Sequence, residues 1–126
     1  MRAVDTNVLV RLQARDDPAQ TRAAEEFIAG GAWVPLVALI EMVWVMKVTY
    51  GRTPAQLAAS LAQLVDHRDV VLQDADLVIA ALEHFRRHPS VGFSDCVILE
   101  QARKAGHLPL GTFDRALARL DGAVRL

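Results

Sequence analysis

Short apolar segments alternate with longer helical segments along the whole chain, and this alternation constrains the fold more than any other feature. Strands are predicted at residues 2–5, 32–34, 70–72 and 108–112, and a short fifth one at 123–124. A strand that is followed by a helix and then by another strand favours a parallel sheet with helices on both faces. We therefore predict an α/β fold with three layers, α/β/α, around a central, mainly parallel sheet of four to five short strands.

Helix boundaries are marked by capping residues and by glycines. Asp17 and Thr53 each precede a proline and stand three residues before a glutamine, a pattern that is typical of a helix N-terminus. Gly51 and Gly106 follow predicted helices, where glycine commonly ends a helix. Helices are predicted at about residues 7–15, 18–29, 36–50, 54–66, 75–87, 94–106 and 114–120.

Chain length and composition indicate one domain and argue against a membrane span. A chain of 126 residues can bury a core without disulfides, so we expect a single domain over residues 1–126. The longest apolar stretch, residues 36–48, is interrupted by Glu41 and Lys47 and is too short to cross a bilayer. The N-terminus lacks the apolar region of a signal peptide, and the single Cys96 fits a reducing compartment. The expectation is a cytoplasmic protein with a buried, inert thiol and no membrane partner.

Charge and motif content limit the kinds of function. The formal net charge of -1 gives no overall electrostatic signature of nucleic-acid binding. This counts against an RNA-binding module, because phosphate neutralisation supplies much of the affinity in such modules. It counts less against an enzyme, which needs only transient contact and can recruit cations. The four histidines lack metal-ligand spacing, and the chain has neither a glycine-rich phosphate loop nor a GxSxG nucleophile motif.

Glu41 lies in a predicted helix that is apolar on nearly every side. Such a helix is expected to be buried in a core or covered by another chain. An ionised carboxylate without a partner in that setting costs several kcal/mol or takes up a proton. Glu41 is therefore expected to lie beside a metal ion or an arginine. The alternative is that it faces solvent through a gap in the apolar surface.

Three aspartates lie at positions where an acid can either bind a ligand or stabilise the start of a helix. Asp5 ends the first strand and Asp114 follows the fourth, and in open parallel sheets ligands bind beyond the carboxyl ends of strands. Asp95 falls in the first turn of its helix, where the helix dipole favours an anion. Each can alternatively be a capping or stabilising residue. With Glu41 they form a set of oxygen ligands that suits hard divalent cations, and without metal their repulsion is expected to hold a proton in the site.

Four segments of the sequence resemble the motifs of the PIN-domain family, and specifically those of the VapC-type toxins of bacterial type II toxin–antitoxin systems. They are AVDTNVLV at residues 3–10, VPL with EMVWV at residues 34–36 and 41–45, FSDCVI at residues 93–98, and LGTFDR at residues 110–115. Each motif is weak alone, but all four occur in order and span essentially the whole chain. Ser94 and Cys96 stand where alanine is common in the family, and neither should remove activity.

The resemblance implies a PIN-like fold and an endoribonuclease that hydrolyses phosphodiester bonds in single-stranded RNA with one or two Mg²⁺ or Mn²⁺ ions. The acids that it assigns to metal binding and catalysis are Asp5, Glu41, Asp95 and Asp114. Asp5 and Asp95 are expected to hold the main ion, with Glu41 and Asp114 completing the site. The polar residues that it assigns to supporting the site are Thr6, Asn7 and Thr112.

Partners also follow from the resemblance. It implies a homodimer and a cognate antitoxin protein, a segment of which occupies a groove near the site. Arginines near the motifs are candidates for guiding the RNA backbone, although arginines on helix surfaces are usually only solvated; they are Arg11, Arg15 and Arg115.

Two other classes of function remain open at this point. A phospho-receiver domain also alternates strands and helices, but it needs an acidic pair after its first strand and a lysine near the end of a late strand. Here Asp5 stands alone, and Lys47 and Lys104 are both predicted on helices. A non-catalytic interaction module is the second alternative, since the apolar helix around Trp44 can be a surface for a partner.

Overall fold

The predicted α/β class is confirmed. The computed structural model describes residues 1–126, and the chain divides into two compact units, Met1–Ala75 and Asp76–Leu126. Six α-helices and five short strands alternate along it, and every strand pairing is parallel. The strands form two sheets, one of three and one of two, where the sequence predicts a single sheet of four to five.

The first unit contains the three-stranded sheet, in the order β1-β2-β3. Its strands are β1 (Arg2–Ala3), β2 (Ala32–Val34) and β3 (Val70–Leu72). Its helices are α1 (Thr6–Ala14), α2 (Pro18–Ile28), α3 (Leu36–Val48) and α4 (Pro54–Asp66). The register pairs Ala3 with Trp33, and backbone pairing continues as the Val4 amide donates to the Trp33 carbonyl at 3.1 Å. Asp5 therefore stands where β1 gives way to α1.

Both predicted helix starts in this unit are confirmed. The Asp17 carboxylate accepts a hydrogen bond from the amide of Gln20 at 3.1 Å, and a proline follows the cap. Thr53 and Gln56 form a reciprocal capping box, in which each side chain accepts from the backbone amide of the other. Such a cap contributes about 1 kcal/mol of helix stability.

Helix α3 is buried on one side and exposed on the other. Leu39, Met42 and Met46 are almost completely inaccessible. The exposed residues include Val37 at 66%, Trp44 at 63% and Val48 at 59%, together with Glu41. Glu41 is therefore not buried in the core, and within the single chain it faces solvent, as the alternative predicts. Because α3 carries apolar residues all round, its sequence gives no direction that distinguishes the packed side from the exposed one.

The second unit contains the two-stranded sheet. Its elements are α5 (Ala75–Arg87), which starts at the unit boundary, α6 (Phe93–Ala105), β4 (Leu110–Thr112), a 3-10 helix (Leu117–Arg119) and β5 (Ala123–Arg125). The register pairs Leu110 with Ala123 and Thr112 with Arg125. The helix predicted at residues 114–120 was wrong, because only the 3-10 turn forms. Leu120 is already extended and Gly122 has a φ of +94°, so the chain turns at once into β5.

Helices α5 and α6 supply most of the buried apolar residues of the second unit. Val78, Val97 and Leu99 are fully buried, and the rings of Phe85 and Phe93 meet edge to face with centroids 6.0 Å apart. Cys96 is also buried, as predicted. Burial, and secondarily the charge of Asp95, raise the pKa of the Cys96 thiol to about 12, so it stays protonated at neutral pH.

None of the helices combines the length and the apolar character that crossing a bilayer requires.

Candidate active site

Asp5 caps α1 at the carboxyl end of β1. Its Oδ1 accepts a hydrogen bond of 3.2 Å from the amide of Val8, and the residue is exposed. The capping role that the sequence allowed is therefore present. Capping engages one lone pair, and a carboxylate has about four, so the same group can also bind a cation.

Thr6 connects the first helix to the acid on the third. Its hydroxyl Oγ1 donates a hydrogen bond of 2.8 Å to Oε2 of Glu41. The sequence predicts a metal ion or an arginine beside Glu41, and the side chain that donates to it in the structure is a neutral hydroxyl rather than an arginine. The carboxylate is thus oriented without being neutralised, which leaves its negative charge available to a cation.

Asn7 lies beside a cavity between α1 and α2. The cavity has a volume of about 280 Å³, and its lining includes Asn7, Arg11, Gln20 and Phe27. Asn7 itself is exposed. The lining is mostly apolar, so this cavity can receive a small apolar side chain with a polar group at its edge.

Asp95 and Asp114 interact electrostatically in the second unit. Asp95 lies in the first turn of α6, and burial, followed by the negative charge of Asp114, raises the pKa of its carboxyl. A carboxyl group whose pKa is raised by a neighbouring negative charge also favours a divalent cation, because a cation relieves the same repulsion.

Asp114 is held by hydrogen bonds on both sides. Its Oδ1 accepts from the amide of Leu117 at 2.8 Å, and its own amide donates to Oγ1 of Thr112 at 3.0 Å. The sequence predicts Thr112 as a support for the site, and in the structure its hydroxyl fixes the backbone of the acid two residues later.

The candidate arginines and lysines have distinct environments. Arg11 pairs with Asp16 at 3.1 Å and Arg15 pairs with Glu25 at 2.6 Å, so both have acidic partners close in the chain. Arg115 is exposed. The two lysines that bear on the receiver alternative, Lys47 and Lys104, lie on α3 and α6 as predicted, not at strand ends.

Contacts therefore join the predicted acids in two groups, one within each unit. In the first unit Asp5 leads directly to Thr6, which binds Glu41; in the second unit Asp95 lies in the field of Asp114. No three histidine, cysteine or acidic side chains come together closely enough to hold a metal ion.

Two features of these surroundings were missed from the sequence. One is the hydrogen bond from Thr6 to Glu41, and the other is Phe113, which is 80% exposed between Thr112 and Asp114. The signal for Phe113 was present, since a lone aromatic residue between two polar ones after a strand has no core position to fill.

The comparison with protein families gives one match. The model of the PIN domain family matches residues 2–123, which is nearly the whole chain. Comparisons with curated proteins and with solved structures give no match.

Proposed function

This chain belongs to the PIN-domain family, and on that basis we propose that it is a metal-dependent endoribonuclease and the toxin of a type II toxin–antitoxin pair. PIN domains are generally nucleases, so family membership supports hydrolysis of phosphodiester bonds. Our proposal adds single-stranded RNA as the substrate, Mg²⁺ or Mn²⁺ as the cofactor, and the cytoplasm of the cell as the place of action. The PIN-like domain in this proposal comprises residues 1–126.

The hydrogen bond between Thr6 and Glu41 is the observation that carries the proposal. It orients an exposed carboxylate on the surface of α3, beside the helix that Asp5 caps. An arginine or lysine in place of Thr6 would neutralise Glu41 and make it a structural ion pair. A neutral donor instead leaves an oriented, charged oxygen ligand, which is what a hard divalent cation requires.

The acids proposed to bind one or two cations form two pairs, Asp5 with Glu41 and Asp95 with Asp114. Their oxygen chemistry fits Mg²⁺ or Mn²⁺, and the repulsion between Asp95 and Asp114 is the kind that a cation relieves. When bound, the metal supplies an activated water and counters the charge that develops on the phosphate.

The neighbouring polar residues have positioning roles in this proposal. Thr6 orients Glu41, and Thr112 fixes the backbone at Asp114. Asn7 stands one residue after Thr6 and offers an amide that can bind substrate or water. Arg115 is exposed next to Asp114 and is the arginine best placed to contact the RNA backbone.

We assign the two protein partners to two surfaces of the first unit. The cavity lined by Asn7 and Phe27 suits an apolar side chain of the antitoxin segment, and its occupant would lie next to the residues that follow Asp5. The exposed apolar residues Trp44 and Val48, on the C-terminal side of Glu41 along α3, suit a second copy of the chain that leaves Glu41 open, because apolar surface is what a homodimer buries.

Cleavage of single-stranded RNA by purified protein tests the proposal. We expect cleavage with Mg²⁺ or Mn²⁺, none after chelation of the metal, and a loss of about 100-fold or more in Glu41→Gln. Glu26→Gln is the matched control, since Glu26 is also an exposed helical glutamate, on α2. Full activity of the Glu41 variant, or undiminished cleavage in the chelator, would overturn the proposal. Sequencing of RNA ends after induced expression then identifies the cleavage site.

A further inference from the structure

Phe113 presents an aromatic ring to solvent in the middle of the last motif. It is 80% exposed, the highest value among the large hydrophobic residues of the chain. A single exposed apolar residue is ordinary on a protein surface. The position of this one is not, because the next residue is Asp114, one of the acids proposed to act on the phosphodiester.

The backbone on both sides of Phe113 is fixed. The carbonyl of Thr112 accepts from the amide of Leu126 at 2.9 Å, and its hydroxyl accepts from the amide of Asp114 at 3.0 Å. Asp114 in turn accepts from Leu117 at 2.8 Å. The ring thus projects from an ordered turn, so a ligand that stacks on it has little backbone entropy to remove.

Two arginines flank this turn. Arg125 is the register partner of Thr112 on the neighbouring strand, and Arg115 follows Asp114; both are exposed. Guanidinium groups pair with phosphates through planar, two-pronged hydrogen bonds. Phe113, Arg115 and Arg125 together combine an aromatic face with positive charge, the combination with which proteins bind single-stranded nucleic acid.

We propose that Phe113 is a stacking platform for one base of single-stranded RNA, next to the phosphate that is cut, and that Arg115 and Arg125 contact the phosphates on either side of that base. The inference rests on the proposed nuclease function and names how its substrate is held. Only an unpaired base offers its face to the ring, so the platform selects single strands over duplexes. Because every base has such a face, the contact is tolerant of sequence.

RNA binding by variants of Phe113 tests the platform. Affinity for a fluorescein-labelled single-stranded oligoribonucleotide is measured by anisotropy in a chelator, which prevents cleavage. We expect Phe113→Ala and Phe113→Leu to weaken binding by about tenfold or more, and Phe113→Trp to stay within about threefold of the wild type. Ile79→Ala is the matched control, because Ile79 is 52% exposed on α5 of the same unit, and it should bind like the wild type. A duplex of the same sequence should bind all these proteins equally.

Three results would overturn the platform. The first is wild-type affinity for single-stranded RNA in Phe113→Ala. The second is wild-type affinity in Phe113→Leu, which keeps apolar surface without a ring. The third is a changed sedimentation mass of Phe113→Ala with unchanged RNA binding, which would identify a contact with another protein chain. The cleavage assay tests the nuclease proposal separately, since that proposal fails if Glu41→Gln cleaves RNA as fast as the wild type. Thermal unfolding of each variant verifies that it is folded.

Discussion

Oγ1 of Thr6 donates a hydrogen bond of 2.8 Å to Oε2 of Glu41, so that α1 orients an acid on α3. Thr6→Val removes the donor and keeps the shape of the side chain. We expect RNA cleavage to fall about tenfold, because Glu41 then samples other rotamers. The free energy of unfolding should change by less than about 1 kcal/mol, since the bond is exposed to solvent. Thr6→Ser should restore most of the activity. Wild-type cleavage in Thr6→Val would show that the bond is not needed.

The pKa of Asp95 predicts how stability depends on pH. It is raised by burial and then by the charge of Asp114, so this group contributes stability below its unfolded pKa that is lost as the pH rises through the folded value. Asp95→Asn, which cannot ionise, should therefore unfold at a higher temperature than the wild type at pH 7. The difference should shrink below about pH 4, where aspartates are protonated.

Asp76→Asn is the control for that experiment, because its shift has the opposite sign. A backbone hydrogen bond from Leu77 and the ammonium of Lys104 lower the pKa of Asp76, so its contribution is present at neutral pH and is lost as the pH falls. Asp76→Asn should lower the unfolding temperature at pH 7. The measurement is the unfolding temperature of the three proteins between pH 3 and pH 7. A shift of both variants in the same direction at pH 7, relative to the wild type, would contradict this account.

Glu100 is the buried acid that joins α5 to α6. Its Oε1 lies 2.6 Å from Nε2 of His84 and 3.3 Å from Nε of Arg103, and Arg103 also donates to the carbonyl of Asp121 at 2.7 Å. Glu100→Ala should cost about 3 kcal/mol of unfolding free energy, because it leaves the half-buried Arg103 without its acidic partner. Urea denaturation measures this. A loss below about 1 kcal/mol would mean that solvent replaces the acid without difficulty.

The exposed face of α3 predicts the oligomeric state. Trp44 is 63% exposed, and we propose that a second copy covers it. Sedimentation at micromolar concentration should give a dimer for the wild type and a monomer for Trp44→Glu. Ile79→Glu, which places the same charge at another exposed apolar position, should remain a dimer. A monomeric wild-type protein would refute the assignment.

Local signals in the sequence predicted most of the elements and could not predict how they are arranged. The capping residues Asp17 and Thr53 were identified because a cap needs only its own first turn. The sheets were not, because strands of two or three residues carry no information on which strand they pair with. The helix expected after Asp114 does not form for a related reason. A single short helical turn is unstable by itself and needs further turns or tertiary packing, which the local sequence does not reveal.

The site shows the same division. The four acids were located on their elements from motif spacing and from their positions at strand ends and helix starts. The expectation that the core buries Glu41 was wrong, because an apolar helix gives no indication of which side faces solvent. The partner of Glu41 is also nonlocal, since Thr6 is near it only after α1 packs on α3.

The two aspartates that cap helices in the first unit allow the most direct test of the central claim. Asp5 and Asp17 each accept a hydrogen bond from the amide three residues later, at 3.2 Å and 3.1 Å. Asparagine caps a helix as well as aspartate does, so Asp5→Asn and Asp17→Asn both remove a charge and keep a cap. The measurement is the rate of magnesium-dependent cleavage of single-stranded RNA by both variants and the wild type. The metal-dependent nuclease predicts that Asp5→Asn is folded and at least about 100-fold slower while Asp17→Asn cleaves normally. Equal rates in all three proteins would contradict it.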